Sequence, residues 1–127
     1  MNKKDFLEIL SLPVLERYKY FIEKTAFLEE LWGLYDNYGW AMFVSDSGHK
    51  LIPFWPKKVF AEFCIFNFGE VYSPQPIDIY KFINNWLPDL KEENIKPAIF
   101  YMPNKSYFVP DINILINDIK SELYSYK

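Results

Sequence analysis

The chain has 127 residues, a net charge of −3 and one cysteine. This length suits one domain spanning residues 1–127, and half of the residues are apolar, which excludes a chain that is disordered by composition. No apolar run approaches the 18 or so residues that a membrane span needs, so we expect no membrane partner. Arginine occurs once, at Arg17, and the lysines are scattered. Because nucleic-acid-binding proteins usually carry a basic stripe, we also expect no nucleic-acid partner.

The start of the chain does not have the pattern of a secretory signal. It is charged, and the apolar residues that follow are interrupted by Glu8 and Pro13. A single cysteine, Cys64, cannot form an internal disulfide, which fits a reducing compartment. We therefore expect a cytoplasmic protein. The sequence gives no indication of its oligomeric state.

Two helices are predicted first. Residues 3–10 place their apolar side chains on one side, and Ser11 can cap the helix that follows. Pro13 suits a first helical turn, so the second helix is predicted over residues 13–28. Its apolar stripe is formed by Val14, Leu15, Tyr18, Phe21, Ile22, Thr25 and Ala26.

Three β-prone segments follow, at residues 31–35, 40–44 and 50–54. The gaps between them, residues 36–39 and 45–48, have the Asp, Asn, Ser and Gly composition of tight turns. This spacing predicts an antiparallel three-strand meander.

Three more helices are predicted in the second half of the chain. One begins at Pro56 and runs to about Phe66, because proline is favoured in a first helical turn. The next has Asp78 as its N-cap and ends or kinks at Pro88, and the last begins at Asp111. The apolar stripes of the last two helices are Ile79, Phe82, Ile83, Trp86 and Leu87, and then Ile112, Leu115, Ile116, Ile119, Leu123 and Tyr126.

The remaining segments complete the predicted sheet. Residues 67–76 contain Pro74 and Pro76 and are predicted to be irregular. Residues 97–102 and 106–109 are predicted to form a C-terminal hairpin. The sequence thus predicts an α+β fold with one antiparallel sheet of about five strands and about four helices.

Aromatic residues make up 20% of the chain, more than a core of this size can hide. They fit a large aromatic core, a contact surface rich in tyrosine and tryptophan, or both. We expect an exposed aromatic patch at the first hairpin, whose turn leaves its side chains at an open end of the sheet. Trp55 is held extended by the proline after it, so it either anchors helix to sheet or forms the floor of a groove. The predicted interaction surface consists of Tyr35, Tyr38, Trp40 and Trp55.

No recognisable catalytic motif is present. His49 is the only histidine and lies in a predicted turn, so a triad with Asp46 and either Ser45 or Ser47 is a weak hypothesis, because triads form across a fold. One histidine and one cysteine do not make a metal site. Cys64 has apolar neighbours, which predicts a buried and inert thiol. We expect no catalytic residue and no metal ligand, and neither His49 nor Cys64 should be essential.

Other charged pairs are better explained by solvation than by chemistry. Adjacent carboxylates point in different directions and cannot face each other across a substrate. Lys57 and Lys58 lie at a helix start, where anions are attracted, but such lysines are commonly solvated. Four scattered glycines cannot form a phosphate-binding loop, and we expect no cofactor. The carboxylate pairs are Glu29 with Glu30 and Glu92 with Glu93.

Four short motifs resemble an uncharacterised bacterial family, the domain-of-unknown-function family numbered 2750. The resemblance extends from about Leu15 to Leu123 and implies a stand-alone cytosolic bacterial domain. The family has no established activity, so it implies no catalytic residue. The motifs are Trp32-Gly33-Leu34-Tyr35-Asp36, Gly39-Trp40-Ala41, Pro53-Phe54-Trp55-Pro56 and Ala61-Glu62-Phe63-Cys64.

Two classes of function remain open. The first is a non-catalytic protein-interaction domain, such as an immunity or antitoxin-like binding partner, whose acidic charge would speed association with a basic protein. The second is a small-molecule-binding or enzymatic domain that uses an aromatic cleft near Trp55. An enzyme would need convergent polar groups, such as Asp36, Asp46, His49 or Glu62. The absence of a dense polar motif favours the first class.

Overall fold

A computed structural model describes residues 1–126 and shows an α+β fold, as predicted. Its strands form two three-stranded sheets, in the orders β2-β1-β5 and β3-β4-β6, so the prediction of one five-stranded sheet is wrong. In chain order the elements are α1 (Lys3–Leu10), α2 (Val14–Leu28), β1 (Glu30–Asp36), β2 (Gly39–Trp40), β3 (Phe43–Val44), β4 (Lys50–Phe54), α3 (Lys58–Phe63), α4 (Ile65–Phe68), β5 (Ser73–Asp78), α5 (Ile79–Lys81), a π-helical turn (Phe82–Trp86), α6 (Leu87–Glu93), β6 (Ile95–Ile99) and α7 (Ile112–Tyr124).

The predicted strand at residues 40–44 is divided between the two sheets. Its first residues form β2, which pairs with β1, and its last residues form β3, which pairs with β4, both antiparallel. Ala41 lies between them, fully buried, and its N–H donates to the Leu34 carbonyl at 2.8 Å. The two pairings of the meander therefore exist, but its middle strand leaves one sheet to enter the other.

Trp32 and Trp55 join the two sheets directly. The N–H of each donates to the carbonyl of the other, both at 2.9 Å. Trp32 lies in β1, and Trp55 follows the last residue of β4. The backbone link thus runs from the central strand of the first sheet to the end of the central strand of the second.

Strand β5 lies where an irregular segment was predicted, because Pro74 and Pro76 argue against a strand. It pairs antiparallel with β1 along its whole length, from Asp78 opposite Glu30 to Ser73 opposite Tyr35. The two prolines are two positions apart, so both missing N–H groups fall on the same side of the strand. That side is the open edge of the sheet, where a strand needs no donors.

The predicted C-terminal hairpin is reduced to a single antiparallel bridge. β6 pairs parallel with β4, and residues 106–109 contribute only an isolated bridge between Ile99 and Phe108. Phe100 has a φ of +55°, which turns the chain out of the strand. Its N–H donates to the Phe54 carbonyl at 2.9 Å. The parallel pairing is possible because a long helical crossover separates the two strands in sequence.

The helix that begins at Ile79 continues past Pro88 to Glu93, so the proline does not end it. Its middle turn is widened: the N–H of Leu87 donates to the Phe82 carbonyl, five residues back. A proline ring would otherwise clash with the carbonyl four residues before it, and a π-helical turn relieves that contact. The predicted stripe is inward-facing, with Ile79, Phe82, Ile83 and Leu87 buried and Trp86 half-buried.

Most of the aromatic surplus forms the core. Helices α2 and α7 cover it, and the hydroxyl of Tyr18 on α2 donates to the Asp118 carboxylate on α7 at 2.6 Å. Burial, with the charge of Asp118, raises the pKa of Tyr18. Tyr126, predicted to belong to the buried stripe of α7, is exposed. The fully buried aromatic side chains are Phe21, Phe54, Trp55, Phe60, Phe82 and Phe100.

Candidate functional site

The first hairpin presents two exposed tyrosines on a fixed turn. Tyr38 is 98% exposed at its tip, and Tyr35 is exposed beside it. The Asp36 carboxylate accepts from the N–H groups of Tyr38, at 2.8 Å, and Gly39, at 3.0 Å. Gly39 has a φ of +142°, a conformation that glycine adopts without strain. The turn therefore holds Tyr38 away from the body of the protein.

Trp40 forms a half-buried base beneath these tyrosines. Its ring packs edge-on against Tyr35, with centroids 5.0 Å apart, and against Trp86, at 4.8 Å. It lies so close to Gly33 that a Cβ there would be 2.9 Å from two carbons of the indole. We call Tyr35, Tyr38 and Trp40 the hairpin surface.

Trp55, the fourth predicted member of that surface, is fully buried, so its assignment to an exposed patch is wrong. Its indole Nε1–H donates to the Tyr101 carbonyl at 2.7 Å. A buried indole needs such an acceptor, and the turn after β6 supplies it. The alternative interpretation, that Trp55 anchors helix to sheet in the core, is correct.

An open groove of about 480 Å³ lies one layer outside Trp55. The Phe43 ring centroid is 5.2 to 6.1 Å from the rings of Phe68, Tyr101 and Tyr107. Trp55 packs behind two of these rings and does not line the groove itself. We call these four lining rings and the space between them the aromatic groove. Its polar rim contains Ser45, Asp46, Asn67 and Lys105.

The wall of the aromatic groove has an unusual backbone. Phe100 and Lys105 have φ values of +55° and +67°, which non-glycine residues adopt uncommonly and at a cost. The N–H of Lys105 donates to the Met102 carbonyl at 2.8 Å, and this hydrogen bond closes a tight turn in the segment from Phe100 to Lys105. This turn places Tyr101 and Tyr107 on the same side of the groove, with nearly parallel rings.

Arg17 fixes that wall to the helices. It is buried, which lowers its pKa, and it donates to the Leu12 carbonyl at 2.7 Å and to Ser106 Oγ at 3.1 Å. Ser106 Oγ in turn donates to Asn104 Oδ1 at 2.7 Å. The only arginine of the chain thus has a structural role, which its sequence context does not indicate.

The aromatic groove presents apolar ring faces and a small number of polar groups. Burial raises the pKa of the Tyr101 phenol, with smaller contributions from Cys64 and Tyr107, so it is a neutral hydroxyl at physiological pH. Asn67 Nδ2 donates to the Pro103 carbonyl at 3.1 Å, whereas its Oδ1 is buried and accepts no hydrogen bond from residues 1–126. The groove therefore offers ring faces, hydroxyls and opposite charges on Asp46 and Lys105.

His49 lies in an exposed turn, as predicted. Its Nδ1 lies 3.1 Å from Ser47 Oγ, which lies 3.0 Å from Ser45 Oγ, and its own N–H donates to Ser45 Oγ. The structure thus brings the two serines and the histidine together, while Asp46 points to the rim of the aromatic groove and not into this network. These hydrogen bonds stabilise the turn. That His49 is not essential stays a prediction.

Cys64 is buried as predicted. Its thiol donates to the Tyr101 carbonyl at 3.4 Å, the same acceptor that Trp55 uses. Burial raises the pKa of the thiol to about 12. Because the thiolate is the reactive form, we expect this cysteine to be unreactive in the folded protein at neutral pH.

The other polar groups considered for an enzyme do not converge. Asp36 closes the hairpin turn, and Glu62 is exposed on α3. Within residues 1–126, no three His, Cys, Asp or Glu side chains are grouped so that they could hold a metal ion. Over the same residues, no helix is both long and apolar enough to cross a membrane. The carboxylates of Glu29, Glu92 and Glu93 are exposed.

A second exposed aromatic surface was not predicted. It lies at the C-terminal ends of α2 and α7, where Tyr126 contacts Phe27 at a ring distance of 5.6 Å. A signal was available, because Phe27 and Tyr124 lie off the apolar stripes of their helices. We call this surface the C-terminal patch, and its exposed rings are Phe27, Tyr80, Tyr124 and Tyr126.

Comparisons with known proteins identify a family but no activity. No curated protein matches the chain. A family profile matches residues 18–119, which include the Trp32-Gly33 motif, the hairpin surface and the aromatic groove. The resemblance noted from the sequence motifs is thereby confirmed, and the chain belongs to the family described as Protein of unknown function (DUF2750).

Proposed function

We propose that this protein is a non-catalytic protein-interaction domain of the bacterial cytoplasm, and that it binds another protein through the hairpin surface. The observation that carries the proposal is the 98% exposure of Tyr38 on a turn fixed by Asp36. Tyrosine supplies a large amphipathic contact area and has few rotatable bonds, so little entropy is lost on binding. A tyrosine held away from the protein by a rigid turn has those properties before a partner arrives.

The packing beneath Tyr38 supports the same proposal. Trp40 is wedged between Tyr35 and Trp86 and lies against Gly33, so the base of the hairpin is rigid. Binding energy at protein interfaces concentrates on a few tyrosine, tryptophan and arginine side chains in well-packed surroundings. Tyr35 and Trp40 fit the packed centre of such a contact, and Tyr38 fits its projecting anchor.

The partner we propose is a basic protein. The chain has a net charge of −3, which would steer a positively charged partner toward it and raise the association rate. An immunity or antitoxin-like role, in which a small acidic domain covers a toxic protein, is one form of this function and rests on analogy. We propose no nucleic-acid partner, because the basic residues are scattered.

Site-specific photo-crosslinking in the native cell tests this proposal. A benzoylphenylalanine at position 38 should give one discrete crosslinked protein, and the same residue at Val71, which is 75% exposed in another turn, should not. With the purified partner, Tyr38→Ala should weaken binding by about tenfold or more, whereas Val71→Ala should not change it. Equal crosslinking from both positions, or unchanged affinity of the Tyr38 variant, would reject the hairpin surface.

A second candidate function is small-molecule binding in the aromatic groove. The observation that favours it is a space of about 480 Å³ between Phe43, Phe68, Tyr101 and Tyr107, within the range of ligand pockets. Indole is a suitable probe because it can stack and donate a hydrogen bond. Titration with indole should shift the amide resonances of Tyr101 and Tyr107, and Tyr107→Ala should remove the shifts. Resonance shifts spread evenly over the protein would count against the groove.

A further inference from the structure

The C-terminal patch contains two adjoining hollows, each of about 310 Å³. Tyr80 and Leu123 line both, so the wall between the two hollows consists of the exposed Tyr80 and the buried Leu123. Phe27 and Tyr126 also line the first hollow, and Tyr124 lines the second. A two-fold rotation about this shared wall exchanges the two hollows, so the first hollow of one copy can face the second hollow of another.

The side chains around the hollows are large, apolar and exposed. The exposed fractions of the four rings are 78% for Tyr124, 63% for Phe27, 52% for Tyr126 and 38% for Tyr80. A fully covered aromatic side chain buries about 150–250 Å², so these four rings offer about 450 Å² on each copy. The largest apolar patch on a typical monomer is about 300–600 Å² and is often functional, and the area of these rings falls within that range.

The two hollows carry opposite charges. Glu29 lines the first, and the Glu122 carboxylate lies 3.4 Å from the Tyr126 hydroxyl at the same end. Lys120 lines the second. Glu29 and Lys120 are both exposed. A partner that fits this surface must present a positive charge at one end and a negative charge at the other. A second copy of the same surface, rotated by 180°, has that arrangement.

We propose that the C-terminal patch binds a second copy of this chain in an isologous dimer. A two-fold axis near Tyr80 and Leu123 brings the first hollow of one copy over the second hollow of the other. The exposed Tyr124 ring then enters the hollow lined by Phe27, and Glu29 meets Lys120 of the other copy, twice per dimer. The total area, about 900 Å² of ring surface, lies below that of stable dimers, so the association is reversible at micromolar concentrations.

Sedimentation velocity over about 5 to 500 µM tests the dimer, and charge exchange tests its geometry. Lys120→Glu alone and Glu29→Lys alone each place like charges opposite each other twice, so each should weaken the dimer by about tenfold. The double variant, Glu29→Lys with Lys120→Glu, should restore dimerisation. An equimolar mixture of the two single variants should also form a heterodimer, because both of its contacts join opposite charges.

Matched controls separate this interface from the hairpin surface. Tyr124→Glu should abolish the dimer, and Tyr38→Glu, at a tyrosine elsewhere that is even more exposed, should leave it unchanged. Circular dichroism and thermal melts establish that each variant is folded. A chain that stays monomeric at 500 µM, a dimer insensitive to charge inversion, or loss of the dimer in Tyr38→Glu would each overturn the proposal. None of these results bears on crosslinking of a different protein to position 38.

Discussion

The Cys64 thiol shows how burial decides the chemistry of a single side chain. It is covered on all sides and shares the Tyr101 carbonyl with the Trp55 indole. We predict that the folded protein reacts with Ellman's reagent only slowly at about pH 8, and that the thiol reacts at once in denaturant. Fast reaction of the native protein, at the rate of the unfolded chain, would show that the thiol is accessible.

The same thiol makes stability depend on alkaline pH. Its pKa is raised from 9.0 to about 12 in the folded state, so folding favours the protonated form. That contribution is fully present below pH 9 and is lost as pH rises from there toward 12. Urea melts across this range should show a steeper loss of stability for the wild type than for Cys64→Ala. Because Tyr18 and Tyr101 have pKa values raised in the same direction, the difference between the two proteins is the quantity to measure.

Gly33 is a residue whose identity is set by a neighbouring ring. Any Cβ there would lie 2.9 Å from the Trp40 indole, so Gly33→Ala must displace the ring or the strand. We expect a cost of about 1–3 kcal/mol in urea melts, with a red-shifted tryptophan emission. In a Trp40→Leu background the same substitution should cost much less, since the clash is gone. An equal cost in both backgrounds would place the strain elsewhere.

The buried face of the helix over residues 79–93 was predicted well, although the end of the helix was not, because the apolar stripe follows from local periodicity alone. Phe82 lies at its centre and packs edge-on against Phe54, with centroids 4.9 Å apart. We expect Phe82→Ala to lower the free energy of unfolding by about 3–5 kcal/mol. Asn85→Ala, an exposed change in the same π-helical turn, should stay within about 0.5 kcal/mol. A loss below about 1 kcal/mol for the Phe82 variant would mean that the site collapses without a cavity.

Strand pairing was predicted less well than the helices, for physical reasons. The sequence around Pro74 and Pro76 lacks the usual marks of a strand, yet both prolines fit because β5 has an open edge. The parallel pairing of β6 with β4 depends on residues about 45 positions apart, and no local pattern encodes it. Turn composition correctly placed the first hairpin, since its geometry is set within four residues.

The residues of the predicted site also differ in whether neighbours in sequence or distant residues determine their exposure. The exposure of Tyr35 and Tyr38 follows from their place at a turn, and the sequence was sufficient for it. The burial of Trp55 depends on an acceptor 46 residues away, and the aromatic groove depends on the turn after Phe100. Neither arrangement can be seen in a one-dimensional pattern, so the groove emerges only from the fold. The C-terminal patch differs, because the positions of Phe27 and Tyr124 off the apolar stripes were an indication in the sequence.

At the scale of the whole molecule, Trp55 links the two sheets and the aromatic groove. Its backbone joins the two sheets through Trp32, its indole holds the Tyr101 carbonyl, and its ring backs the aromatic groove. Trp55→Phe keeps an aromatic ring but removes the donor, and leaves the Tyr101 carbonyl with only the weaker thiol contact.

We expect Trp55→Phe to lower the free energy of unfolding by about 2–4 kcal/mol, from the lost hydrogen bond and the smaller ring together. Because Tyr101 lines the aromatic groove, hydrogen exchange should quicken at the amides around it and at Trp32, while the hairpin turn at Asp36 keeps its wild-type rates. Tyr38→Ala serves as the control, since the loss of a fully exposed ring should leave both stability and exchange unchanged. If exchange rose equally at the groove and at the hairpin, Trp55 would stabilise the protein globally and would not specifically hold the groove.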